Sequence, residues 1–270
     1  MFWLLLAGFA GGILAGLLGI GGGIIYVLIL PYALEGAGIL PEYLAPFTIA
    51  NSIFGVLFAS LSANFLNIRN HDFHPKEALW VGIPGAVFAV LILKTVVTQH
   101  WFSVSIFYGV LILFLAYMII SLFIKKEEKK VEISKNRVFK LNFAGIAGGS
   151  LAATTGLGGG AAVIPILSTR LHMDIKKARS ISLVMIFITA FTLTVFNLFE
   201  KPAISHLSWQ VGYIYFPTAL PVTIGVIIGT PIGSKLGRIL SSKTIRILFG
   251  IFIFIVMVEK SIQLFRILID

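Results

Sequence analysis

Eight stretches of this chain are apolar for the twenty or so residues that a helix needs to cross the roughly 30 Å hydrocarbon core of a bilayer. They cover residues 2–34, 44–66, 78–97, 102–124, 141–169, 180–199, 209–234 and 244–268. Few folds are open to such a chain, because backbone polar groups in lipid must be bonded within the protein, which leaves helices or a closed barrel. No ten-residue stretches alternate apolar with polar residues as barrel strands do, so the segments read as helices and the fold class as all-α integral membrane protein. Composition agrees: 58% of residues are hydrophobic, 12% are charged and the mean hydropathy is +1.00. The opening MFWLLLAGFAGG has no basic residues before its apolar run, so the first segment is expected to be retained rather than cleaved.

Two of the eight segments are longer than a span requires, and each holds a glycine cluster. GLLGIGGGIIYVLIL runs from Gly16 to Leu30 and TGLGGGAAVIPIL from Thr155 to Leu167. Setting residue n beside n+137 aligns Gly8–Gly23 with Gly145–Gly160, with ten of sixteen positions identical. The join, KKEEKKVEISKNR, is too polar for lipid. The sequence therefore divides into a first transmembrane repeat, 1–124, a charged cytoplasmic linker, 125–140, and a second transmembrane repeat, 141–270.

Charge decides between two topologies. If each glycine-broken segment crosses the membrane once, the halves run parallel and Lys plus Arg divide 12 to 9 between the faces. If residues 2–34 and 141–169 are instead re-entrant helical hairpins, the first and fifth segments turn back at their glycines and the halves are inverted. One face then carries 17 cations and the other only Lys94, Lys201, Lys260 and Arg266. A cytoplasmic face gathers Lys and Arg, so the count favours two inverted structural repeats with both termini outside the cytoplasm.

Glycine suits a break at membrane depth because it adopts positive φ freely and lets other groups approach the backbone. After each break a short helix restarts, and its first N–H groups lack intrahelical partners and carry the positive end of the helix dipole. Two such ends meeting near the midplane make an anion site without a buried cation. Gly21, Gly22, Gly23, Gly158, Gly159 and Gly160 are accordingly read as substrate-binding. Gly8, Gly12, Gly16, Gly145 and Gly149, spaced by four, are read as close helix packing. Hydroxyl and amide groups at similar depth complete the candidate set: Asn51 and Ser52 after Thr48, and Thr154 and Thr155 before the second break. Ser180, Ser182 and Thr189 are assigned mainly to bonds with their own helix. Glu259 and Lys260 read as an interfacial pair.

AGLLGIGGGIIYVLILP and AATTGLGGGAAVIPIL, each opening a half of about 130 residues, resemble the paired signatures of the TauE/SafE family, the sulfite exporters also called toluene-sulfonate uptake permeases. Ala50-Asn51-Ser52, the turn NIRNHDFHPKEAL and GTPIGSKLGRILSSKTIRILFG extend the resemblance over nearly the whole chain. It implies a multi-pass carrier in the cell inner membrane that moves sulfite or organosulfonates, by default outward.

The function expected is a secondary transporter of sulfur-containing oxyanions, working by alternating access with the anion at half-helix N-termini; a passive anion channel on the same termini is the alternative. No enzyme is expected, since cysteine is absent and no catalytic set is legible. No cofactor or metal is expected either: His71 and His74 lie in a polar loop and no nucleotide cradle follows a soluble strand. The expected partners are a small anionic substrate and the lipid bilayer, with a homo-oligomer left open. Nucleic acid is excluded because the net charge of +10 is spread over membrane-flanking loops.

Overall fold

The computed structural model describes residues 2–123, 136–202 and 207–269. They form α1 (Phe2–Leu18), α2 (Gly23–Gly36), α3 (Pro41–Arg69), α4 (Pro75–Ile92, extended by a wide π turn, Leu93–Val97), α5 (Val104–Phe123), α6 (Arg137–Thr155), α7 (Gly160–Arg170), α8 (Ile175–Phe199), α9 (Phe216–Ile239) and α10 (Ser242–Ile269). Among the described residues, six helices are long and apolar enough to cross a membrane: α3, α4 with its π turn, α5, α8, α9 and α10. The protein is an all-α membrane protein. Residues 124–135, most of the expected linker, lie outside the described residues, and α6 begins at Arg137. The segment read as 209–234 is helical only from Phe216, because Gln210–Val211 (β1) and Ile214–Tyr215 (β2) pair as a short antiparallel ribbon around Gly212, whose φ is +57°.

Prolines at or next to the first helical position start α3, α4 and α9, where the missing N–H costs nothing. Asp174 caps α8, its carboxylate accepting from the Lys176 and Lys177 amides at 2.8 and 3.4 Å. Enclosure is greatest for α3 and α8 and least for α10. The outer faces of α4, α5 and α10 expose Trp80, Val87, Leu113, Ile120, Phe254 and Ile255, a belt that in water would be an aggregation patch and in a bilayer is the lipid surface.

Small residues decide which helices meet. Gly8, Gly12 and Gly16 of α1 lie against the backbone of α9 at Val222, Val226 and Thr230; Gly225, Gly229 and Gly233 of α9 lie against the α1 carbonyls of Leu5, Phe9 and Ile13. A Cβ at any of these positions would meet main chain. The same device joins α6 to α4, with Gly145 against Val81 and Gly149 against Gly85. Such four-residue spacing lets two backbones approach closely enough for dispersion to replace the missing hydrophobic drive in lipid. Each glycine-rich helix thus packs on a helix from the other side of the 124–135 segment: α1 on α9, and α6 on α4.

Candidate functional site

α1 ends at Leu18 because Gly19, Gly21 and Gly22 take φ of +74°, +89° and +72°. α6 ends at Thr155 for the same reason: Gly156, Gly158 and Gly159 take +72°, +84° and +75°. Side-chain-bearing residues rarely adopt such angles, so two runs of glycine 137 residues apart in the sequence write the same backbone turn twice. Gly23 and Gly160 are helical, and their glycines answer to crowding instead. At both breaks the chain turns back on itself: Gly22 lies against the Gly11 carbonyl, and Gly159 against that of Gly148. The helices that restart, α2 and α7, have no side-chain cap at Gly22 or Gly159, so their first N–H groups keep their positive character.

The two breaks meet. Gly21 and Gly158 both face Val56 of α3 and Ile186 of α8; the Leu157 carbonyl lies 3.6 Å from a Cβ position on Gly21, and the Ile20 carbonyl 3.8 Å from one on Gly158. Val56 and Ile186 therefore hold equivalent places, and the same offset along the chain pairs Ser52 with Ser182 and Ile49 with Arg179. Gly156 packs on Ile49 and Ser52, while Gly19 packs on Arg179.

Around this crossing the structure gathers Gly21, Gly22, Gly23, Gly158, Gly159, Gly160, Ser52 and Thr155, all buried. Ser52 Oγ donates to the Gly156 carbonyl at 2.7 Å. Thr155 Oγ1 donates to the Leu151 carbonyl at 2.5 Å and accepts from the Leu157 amide at 3.3 Å, pinning the first residues of the break. Thr154 bonds within its own helix, to Ser150 at 3.0 Å. Asn51 is fully engaged elsewhere: its Nδ2 donates to the Phe47 and Tyr213 carbonyls at 2.7 and 3.0 Å, and its Oδ1 accepts from the Tyr215 amide at 3.0 Å. It anchors the β1–β2 ribbon, with the Tyr213 ring edge-on to Phe47. Burial raises the Tyr213 phenol above its ordinary pKa, keeping it protonated.

Beside the crossing opens a cavity of about 290 Å³. Its walls include Leu18 and Ile20 from the first break, Ala161, Ile164 and Pro165 from the first turns of α7, and the cations Lys176 and Arg179. Arg179 Nη2 donates to the Gly16 and Leu17 carbonyls at 3.3 and 2.9 Å, satisfying the end of α1. Ser182 Oγ is buried and has no hydrogen-bond partner among the described residues. Reading the sequence for topology counts Lys176 and Arg179 only as loop charges. The signal that finds them is their three-residue stepping into Ser182 inside a span.

The sequence profile of the family described as "Sulfite exporter TauE/SafE" matches residues 4–259. A probable membrane transporter protein of Methanocaldococcus jannaschii is 26% identical over 252 residues, 91% of this chain and 89% of that protein. A probable membrane transporter protein of Haemophilus influenzae is 26% identical over 281 residues, covering 96% of this chain and 97% of that protein.

Proposed function

Because the chain belongs to the TauE/SafE family of membrane transporters, we propose that it is a secondary transporter of sulfur-containing oxyanions such as sulfite or organosulfonates. The observation that carries this reading is the meeting of two uncapped helix starts, those of α2 and α7, at a crossing built of glycine backbone. Oriented N–H groups and dipole ends attract an anion there through partial charges. The basic cavity beside the crossing supplies an approach from one face.

In this reading the broken segments are re-entrant hairpins, the halves are inverted repeats, and the face bearing Arg69, Lys76, Lys176, Lys177 and Lys235 is cytoplasmic, in the cell inner membrane. The exchanged packing of α1 on α9 and α6 on α4 supports the symmetry. Rocking of one half on the other would open the crossing alternately to each side, with export as the working direction. The test is flux of radiolabelled sulfite and taurine-like sulfonates in proteoliposomes. Saturable counterflow is expected; no anion flux overturns the reading, and ohmic single-channel currents would replace the carrier with a channel.

A further inference from the structure

We propose that the anion seat is single and asymmetric: it lies at the N-terminus of α7, bounded by Ser182, and is entered through the cavity past Lys176 and Arg179. This rests on the anion-transport reading above.

The two helix starts are alike in backbone and unlike in what faces them. At α2, the Gly156 carbonyl oxygen stands 2.7 Å from where a Cβ on Gly23 would sit, and the Ser52 hydroxyl donates to that same carbonyl at 2.7 Å. An acceptor and a hydroxyl already in use therefore occupy the ground beside the first restart, and a carbonyl dipole pointing there repels an oxyanion. At α7, the nearest polar atom to the Cβ position on Gly160 is Ser182 Oγ, at 2.8 Å. This hydroxyl is 0% exposed and without a partner among the described residues. A buried hydroxyl left so carries an uncompensated desolvation penalty, which an oxyanion accepting from it would recover, and the free N–H groups of an eleven-residue helix lie beside it.

Arg179 supplies the charge. Its Nη2 is committed to the last carbonyls of α1, which fixes the guanidinium at the cavity wall, while its Nε, 3.1 Å from the Cβ position on Gly19, is buried without a partner among the described residues. A guanidinium held in place offers its remaining donors without reorganising. The equivalent residue in α3 is Ile49, so the first half has no counterpart. Lys176, Arg179 and Ser182 step inward along α8 from exposed through half-buried to buried, a graded path from the cavity mouth to the restart. The remaining cavity wall is apolar apart from Ser121, whose hydroxyl donates to the Met118 carbonyl at 2.7 Å; Ile164, Met118 and Phe249 accommodate the short hydrocarbon tail of a sulfonate whose head group occupies the seat.

The experiment is equilibrium binding of radiolabelled sulfite to the purified full chain, with butanesulfonate as competitor and thermal unfolding run in parallel. One sulfite per chain is expected, displaced by butanesulfonate. Ser182→Ala, which loses no protein partner, is expected to keep or raise the melting temperature while weakening sulfite binding about tenfold; Arg179→Lys weakens it at least as much, and Ser52→Ala by less than about twofold. The proposal is overturned if Ser52→Ala weakens binding as much as Ser182→Ala, or if Ser182→Ala and Arg179→Lys both bind like the unmodified chain. Absence of anion binding to the unmodified chain overturns the parent reading as well, which separates the two failures.

Discussion

The ammonium of Lys260 in α10 lies 3.4 Å from the main-chain carbonyl of Leu28 in α2, and Lys260 has no exposed surface. Gln263 Oε1 accepts from it at 2.9 Å, Glu259 Oε2 lies 3.3 Å away, and the Tyr108 ring of α5 is centred 4.9 Å off. Glu259 also accepts from the Tyr32 hydroxyl of α2. The sequence suggests an interfacial pair here, yet the cation is interior and ties together three helices. A charge so placed is stable only while paired.

Removing the carboxylate should therefore cost more than removing the pair. Glu259→Gln is expected to lose about 3 kcal/mol, the low end for breaking a buried ion pair, because Glu259 is itself partly exposed. Glu259→Gln combined with Lys260→Met should recover part of that loss. Thermal unfolding in detergent measures both, and a double variant less stable than the single would contradict the account.

Glycines in this chain should sort by geometry. Gly159→Ala places a Cβ at φ +75° against the Gly148 carbonyl, where αL strain alone costs about 1–2 kcal/mol and the overlap adds more. It is expected to abolish the monodisperse peak in size-exclusion chromatography. Gly109, inside α5, has nothing within 4 Å of its Cβ position, so Gly109→Ala should fold normally and gain up to about 1 kcal/mol. Equal behaviour of the two variants would refute the backbone argument.

Asn51 is expected to matter for stability rather than for recognition. Asn51→Ala removes three hydrogen bonds and leaves the Tyr213 carbonyl and Tyr215 amide short of partners, a loss of about 2–3 kcal/mol. In proteoliposomes the KM for anion flux should stay within about twofold for the protein that remains folded. A large rise in KM would return Asn51 to the binding site.

Topology can be read directly. If, as proposed, α1 and α2 turn back rather than cross, the C-terminus lies opposite the basic face, and an alkaline phosphatase fused after Asp270 should be active and a fluorescent protein there dark. The reverse pattern would favour parallel halves.

The apolar segments and the glycine breaks were legible because each obeys a local constraint: length against bilayer thickness, and φ against Cβ. The repeat in Gly8–Gly23 and Gly145–Gly160 even locates two turns of like backbone. What the sequence withheld was direction. Asn51 and Ser52 are neighbours in sequence, but one holds a ribbon and the other a break carbonyl. Arg179 looks like a loop cation until α8 is seen to begin at Ile175 and bring it to the end of α1. The stripe Gly225, Gly229, Gly233 has no meaning readable from its own segment, because that meaning depends on α1, more than two hundred residues earlier in the sequence.

That last pairing sets an order of events at the ribosome. α1 is made first, but the seam it fills is on α9, which emerges when most of the chain is already synthesised. At about 5–20 residues per second, Gly8, Gly12 and Gly16 wait roughly ten to forty seconds with no backbone to receive them. A nascent first half is therefore an unfinished surface until the second half arrives.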